Sequence, residues 1–125
     1  MSTFNLKVIS PDKEFFHDDV EMAVVKTIEG DVGLMADHVN YVSPLDIGVI
    51  KIKKDGKFKE AALAGGFVKF FNNKATIITE AAEWPEEIDL DRAKKAKERA
   101  LANDDKESKK EAQKAENRIK IANKK

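Results

Sequence analysis

A chain of 125 residues has room for one compact domain with an appendage, and its 23 basic and 23 acidic side chains balance, which argues against a whole-chain polyanion binder. No cysteine is present, which removes disulfides, thiol nucleophiles and thiolate metal sites together and fits a reducing compartment. The start, Met1-Ser2-Thr3-Phe4-Asn5-Leu6-Lys7, carries no signal or transit pattern, and no apolar run reaches membrane-spanning length, so a soluble cytoplasmic chain is expected.

In chain order, Leu6 to Ile9 reads as a short strand ended by the turn signal Ser10-Pro11-Asp12. Glu14 to His17 reads as a second, with Asp18-Asp19 turning the chain. Val20 to Ile28 is the clearest early strand: Met22, Val24 and Ile28 fall on one face, and Val25 implies burial on both sides. Glu29-Gly30-Asp31 makes the next turn, Val32 to Ala36 follows, and Asp37-His38 ends it. Ile47 to Lys54 alternates Ile50 and Ile52 with Lys51 and Lys53, the mark of a half-buried strand. Asp55-Gly56 supplies the two positive-φ positions of a type I′ hairpin turn, and Lys57 to Ala64 returns with Phe58 and Leu63 as apolar anchors. Gly65-Gly66 permits a bend or a close approach; Phe67 to Phe71 goes out, Asn72-Asn73 turns, and Ala75 to Thr79 comes back. Short antiparallel strands with tight turns and two-sided apolar character predict a β-sandwich or flattened barrel.

The stretch from Glu83 to Ala93 divides strand from helix. Pro85 suits the close of a strand, Asp89 a helix N-cap, and Asp91 the first helical turn, where the backbone dipole favours negative charge. From Ile88 to about Ala102 strong helix formers run without glycine or proline, Asn103-Asp104-Asp105 breaks the run, and a second helix is expected from about Glu107 to Asn123. The class is therefore α+β: a sandwich over residues 1–84 and an antiparallel helical hairpin over 85–125. Ala93, Ala96 and Ala100 share one face of the first helix; Ala112, Ala115, Ile119 and Ala122 share one face of the second. Half a dozen buried methyls contribute about 5 kcal/mol at most. Ordering each residue costs about 1–2 kcal/mol of backbone entropy, which helix hydrogen bonding and propensity only partly offset. The docked hairpin is thus expected to be marginal and movable by a ligand.

Arg92 and Arg99 lie two turns apart on nearly the same helix face, and Lys114 and Arg118 one turn apart on the partner helix. In an antiparallel pair these four cations can surround a polyphosphate, with Asp89 and Glu83 accepting from amino or hydroxyl groups. On spacing alone, in a chain so rich in charge, a solvated face is the simpler reading. His17 and His38 lack the spaced partners of a metal site, and Asp18-Asp19 and Asp104-Asp105 lack calcium-loop spacing. There is no Walker-type phosphate loop, and nothing evident holds magnesium or activates a water, so hydrolysis by this chain alone is not expected, and no catalytic residue or required cofactor is assigned.

The run Glu29-Gly30-Asp31-Val32-Gly33-Leu34-Met35-Ala36-Asp37-His38 resembles the epsilon subunits of bacterial ATP synthases, which carry a Gly-acidic-x-Gly-apolar run closing on a histidine. The resemblance continues in order through Leu45 to Ile52, Gly65 to Lys69, Ile88 to Ala93 and Lys114 to Ile119. It implies a sandwich and hairpin within the rotating central stalk, bound to the gamma subunit and resting on the membrane c-ring, with Asp31, Leu34, Met35 and His38 at that contact. It also implies a hairpin that either lies folded or extends to the catalytic beta subunit and restrains ATP hydrolysis. The location implied is peripheral, at the cytoplasmic face of the bacterial membrane, without direct insertion.

A subset of that family binds ATP as a regulatory ligand through Ile/Leu-Asp-x-x-Arg-Ala, matched here by Ile88, Asp89, Arg92 and Ala93. Glu83, Arg99 and Arg118 fall on further matching positions, whereas Lys114 stands where an arginine is expected and keeps the charge without the planar fork. Departures from the pattern are Ala36-Asp37 in place of a glycine before His38, Trp84-Pro85 at the hinge, and a short linker between the helices. The rival is a sandwich whose basic helical tail grips nucleic acid; balanced charge and the lack of an aromatic platform on the strands count against it.

Overall fold

Local turn chemistry sets the spacing of the strands. The two turn residues of Asp55-Gly56 (φ 52° and 74°) and of Asn72-Asn73 (φ 48° and 59°) all sit in the left-handed region, as two-residue hairpin turns demand. The computed structural model describes residues 2–102 and 106–122. The expected break at Asn103-Asp104-Asp105 and the helix end at Asn123 lie outside them. Eight strands come first: β1 (Phe4–Ile9), β2 (Glu14–Val20), β3 (Met22–Thr27), β4 (Gly30–Met35), β5 (Tyr41–Lys54), β6 (Lys57–Phe71), β7 (Lys74–Ile78) and β8 (Ala82–Glu83). A 3-10 turn (Pro85–Glu87) leads into α1 (Leu90–Leu101) and α2 (Lys106–Ala122).

The strands hydrogen-bond in the order β2-β1-β7-β6-β5-β3-β4, with β8 on β6. Neighbours are antiparallel except β1 and β7, which run parallel. β5 and β6 are long, at 14 and 15 residues, and serve both layers of the sandwich. The C-terminal part of β6 pairs with β7 and its N-terminal part with β8. Gly65 and Gly66 make the change of direction possible at φ +83° and +118°. A Cβ on Gly66 would lie 1.9 Å from the Ile78 carbonyl oxygen, so this glycine provides both the bend and the close approach of β6 to β7.

Between the layers lie Phe4, Leu6, Val8, Val20, Val25, Leu34, Ile50, Ile52, Val68, Phe70 and Ile77, all buried, with Phe4 and Phe70 edge to face at 5.4 Å. Several expectations are corrected here. Asp18 and Asp19 do not turn the chain: they belong to β2, opposite Leu6 and Asn5, and the break falls at Glu21, between β2 and β3. The inward face of β3 is Ala23, Val25 and Thr27, while Met22 and Val24 are half-buried and Ile28 is exposed in the following turn. Apolar residues on both faces had left the parity of that strand undetermined. Phe58 is exposed rather than an anchor, its ring under the Lys53 ammonium at 5.8 Å, whereas Leu63 is buried as expected.

After β8, Trp84 stacks on Phe15 at 4.7 Å and Lys13 pairs with Glu87 at 3.5 Å, which holds the 3-10 turn to the sandwich. Ile88 is extended, and Asp89 caps α1 by accepting from the Arg92 amide at 3.1 Å, so α1 starts two residues later than its composition suggested. Ala93 and Ala100 of α1 and Ala112 and Ala115 of α2 are buried, letting the helices approach closely, and Lys97 pairs with Glu116 across them at 3.0 Å. A second apolar cluster of Ala62, Ile88, Ile121 and Ala122, flanked by Val49 and Leu90, seats the hairpin on the sandwich. Its large member on α2 is Ile121, fully buried; Ile119, which the sequence grouped with the alanine stripe of α2, is half-buried.

Candidate functional site

The helical period that turns Ile121 to the sandwich also carries Lys114, Asn117 and Arg118 to it. Three polar contacts result. The Lys114 ammonium donates to Glu80 Oε2 at 2.7 Å, with Glu111 a second carboxylate at 3.5 Å. Arg118 meets Glu83 through Nη2 donating to Oε2 at 3.2 Å and Nε lying 2.7 Å from Oε1. That Nε is buried and has no well-aligned acceptor, so the pair is close without being an ideal fork. Asn117 Nδ2 donates to the Gly48 carbonyl at 2.8 Å.

These contacts border a cleft of about 300 Å³ between α1, α2 and the sandwich. Ala62, Ala64, Ala96 and Ala115 provide its apolar wall, and Glu80, Glu83, Glu111, Lys114 and Arg118 its charges. Three carboxylates against two cations leave the lining one negative charge in excess. The hydrogen bond from Lys114 holds the Glu80 carboxyl below its ordinary range, and the same bond raises the Lys114 ammonium. Backbone bonding positions Glu80: the Thr79 hydroxyl and the Ala64 amide both donate to the Ala81 carbonyl, each at 3.1 Å.

Of the residues that spacing and resemblance singled out, Glu83, Lys114 and Arg118 come together at this cleft. Ile88 is buried in the second apolar cluster, Ala93 is buried on α1, and Asp89 is exposed with its carboxylate engaged in the helix cap. Arg92 and Arg99 are exposed on α1 and do not line the cleft, so the four cations do not enclose one cavity in this arrangement. Glu80 and Asn117 were missed. Nothing local marks Glu80, whose partner is 34 residues away, although Asn117 shares the Lys114 to Arg118 turn and was within reach of the helical period.

At the sandwich edge, Asp31 is exposed on β4 and Met35 is half-exposed at 51%. His38 packs edge-on against Tyr41 and Phe70, with Nδ1 donating to the Val39 carbonyl at 2.7 Å. Leu34 is corrected: it is fully buried in the sandwich core and has no surface to offer a partner. The Asp37 turn is tied to Asn73, whose Oδ1 accepts from the Asp37 amide at 2.6 Å.

A second surface went unnoticed in the sequence. Pro44, Phe67, Ile78 and Ile9 sit opposite one another across β5, β6, β7 and β1, forming an apolar row on an outer face. Phe67 and Ile78 are each 58% exposed, and Val42 beside the row 61%. Contiguous exposed apolar side chains of this kind mark a surface that meets another molecule. Among the described residues, no three His, Asp or Glu side chains converge to hold a metal.

Residues 3–85 match the beta-sandwich domain of the ATP synthase delta/epsilon chain. The ATP synthase epsilon chain of Caldicellulosiruptor bescii is 56% identical over 100 residues, 80% of this chain and 73% of its own length. That of Alkaliphilus oremlandii is 54% identical over 99 residues, 79% and 74% of the two chains. A chain in the mitochondrial ATP synthase of Euglena gracilis (OSCP, F1 and c-ring) superposes with a TM-score of 0.73 at 25% identity, covering 98% of this chain and 79% of that one. A chain in the central stalk and c-ring of the Tetrahymena thermophila enzyme gives 0.68 at 19% identity, a likeness of fold.

Proposed function

The chain belongs to the ATP synthase delta/epsilon family as an epsilon subunit of the central stalk, and we propose that it is non-catalytic and restrains ATP hydrolysis through its C-terminal hairpin. In this reading ATP binds the folded form and holds the hairpin on the sandwich; without it the helices are freed to reach the catalytic beta subunit. The observation that carries the reading is the way the hairpin is seated. Four buried apolar residues, two of them alanines, two ion pairs and the Asn117 hydrogen bond to Gly48 hold it, beside a complete Ile88-Asp89-x-x-Arg92-Ala93 hinge motif. A contact this small is within the range that ligand binding shifts, about 2.7 kcal/mol at one hundred times Kd.

Arg92, Arg99, Lys114 and Arg118 neutralise the phosphates in this scheme, the two α1 arginines from the solvent side and the two α2 cations from the cleft. Asp89 and Glu83 fix the arginines or the nucleoside. The apolar row of Ile9, Pro44, Phe67 and Ile78 is the face offered to the gamma subunit, and Asp31, Met35 and His38 meet the rotor ring. The subunit thus lies at the cytoplasmic face of the membrane through the complex. Calorimetric titration of ATP into the purified chain tests the nucleotide reading: a saturable heat is expected, and silence at millimolar ATP rejects it.

A further inference from the structure

We propose that Glu80 is an internal substitute for a phosphate: its carboxylate occupies Lys114 in the folded form, so that ATP must displace it, and it thereby sets how strongly docking depends on nucleotide. This rests on the nucleotide reading above and adds a residue outside the motif positions. The two ion pairs of the cleft differ in kind. Glu83 is about three-quarters buried, and removing it leaves the largely buried Arg118 guanidinium without its ion-pair partner. Glu80 has a side chain 71% exposed and touches Lys114 through one oxygen at 2.7 Å, so it can swing into water once another anion takes the ammonium. The cleft also carries an excess negative charge with Glu80 in place, which opposes a polyphosphate.

The consequence has a fixed sign. Glu80 stabilises the docked hairpin only when nucleotide is absent, because the phosphate and the carboxylate compete for one ammonium. Removing it lowers docking without nucleotide and raises the affinity for ATP, whatever fraction of the hairpin is docked to begin with. A structural contact would move both quantities downwards together. An exposed pair of this type changes an equilibrium roughly two- to fivefold.

The test is the Glu80→Gln variant of the full chain, read by hydrogen exchange of the α2 amides without nucleotide and by calorimetric titration with ATP. Expected are α2 exchange two- to fivefold faster and an ATP Kd two- to fivefold lower. Lys114→Met serves as the control, with faster exchange but weaker ATP binding. Unchanged or weaker ATP binding by Glu80→Gln overturns the proposal, since Glu80 would then be a bystander or a ligand contact. If neither wild type nor variant binds ATP, the nucleotide reading fails on its own account. The exchange arm then decides whether Glu80 latches the hairpin: faster exchange upholds the latch, unchanged exchange removes it.

Discussion

Replacing Ile121 with alanine is expected to release the hairpin while the sandwich stays folded. Ile121 is fully buried among Ala62, Ile88 and Ala122, with Val49 and Leu90 at the rim. The substitution removes three carbon atoms, worth about 2.4 kcal/mol at about 0.8 kcal/mol each, before any cavity left behind is counted. At about 1.4 kcal/mol per factor of ten, that shifts docking towards the free hairpin by roughly 50-fold. The remaining apolar contact consists of Ile88 and two alanines with their rim, too little to compensate. Hydrogen exchange of α2 in the full chain, together with urea unfolding of the sandwich, reads the two parts separately. Loss of α2 protection with an unchanged sandwich midpoint is expected, and Leu101→Ala, at a side chain 63% exposed, should change neither. Full α2 protection in Ile121→Ala would refute the view that this small cluster seats the hairpin.

Four further outcomes follow from particular contacts. Gly66→Ala should destabilise the sandwich by at least about 2–3 kcal/mol, seen as a lower urea midpoint, because its Cβ would press on the Ile78 carbonyl at a φ of +118°. Gly56→Ala, at φ +74° in open space, should cost only about 1 kcal/mol. Phe67→Glu should leave thermal stability within about 0.5 kcal/mol yet abolish co-purification with the gamma subunit, since Phe67 is exposed at the centre of the apolar row. Docking should also respond to pH at its extremes. The Glu80 carboxyl is held below its ordinary 4.5 by Lys114, so its contribution is complete above that value and disappears as pH falls through the depressed one. The Lys114 ammonium is raised above 10.5 by Glu80, so its contribution is complete below that value and is lost as pH rises through the raised one. Protection of α2 should therefore be flat from about pH 5 to 10 and fall at the acid end less in Glu80→Gln; a midpoint near neutrality would contradict the assignment.

What the sequence by itself determined was whatever a few adjacent residues control. Positive φ at Asp55-Gly56 and Asn72-Asn73, the Asp89 cap and the alanine stripes of α1 and α2 are properties of neighbours in the chain, and each could be read off before any fold was known. Even there the local signal had limits: apolar residues on both faces of β3 left its inward side open, and Ile119 and Ile121 stand on nearly opposite sides of α2, so composition did not say which side meets the sandwich. Tertiary structure alone decided the parallel pairing of β1 with β7, the outer row that aligns Pro44, Phe67, Ile78 and Ile9, and the meeting of Glu80 with Lys114. Strand register and helix docking depend on which surfaces bury each other across dozens of residues. That choice is made by the free energy of the whole packed core, and no short window of sequence contains it.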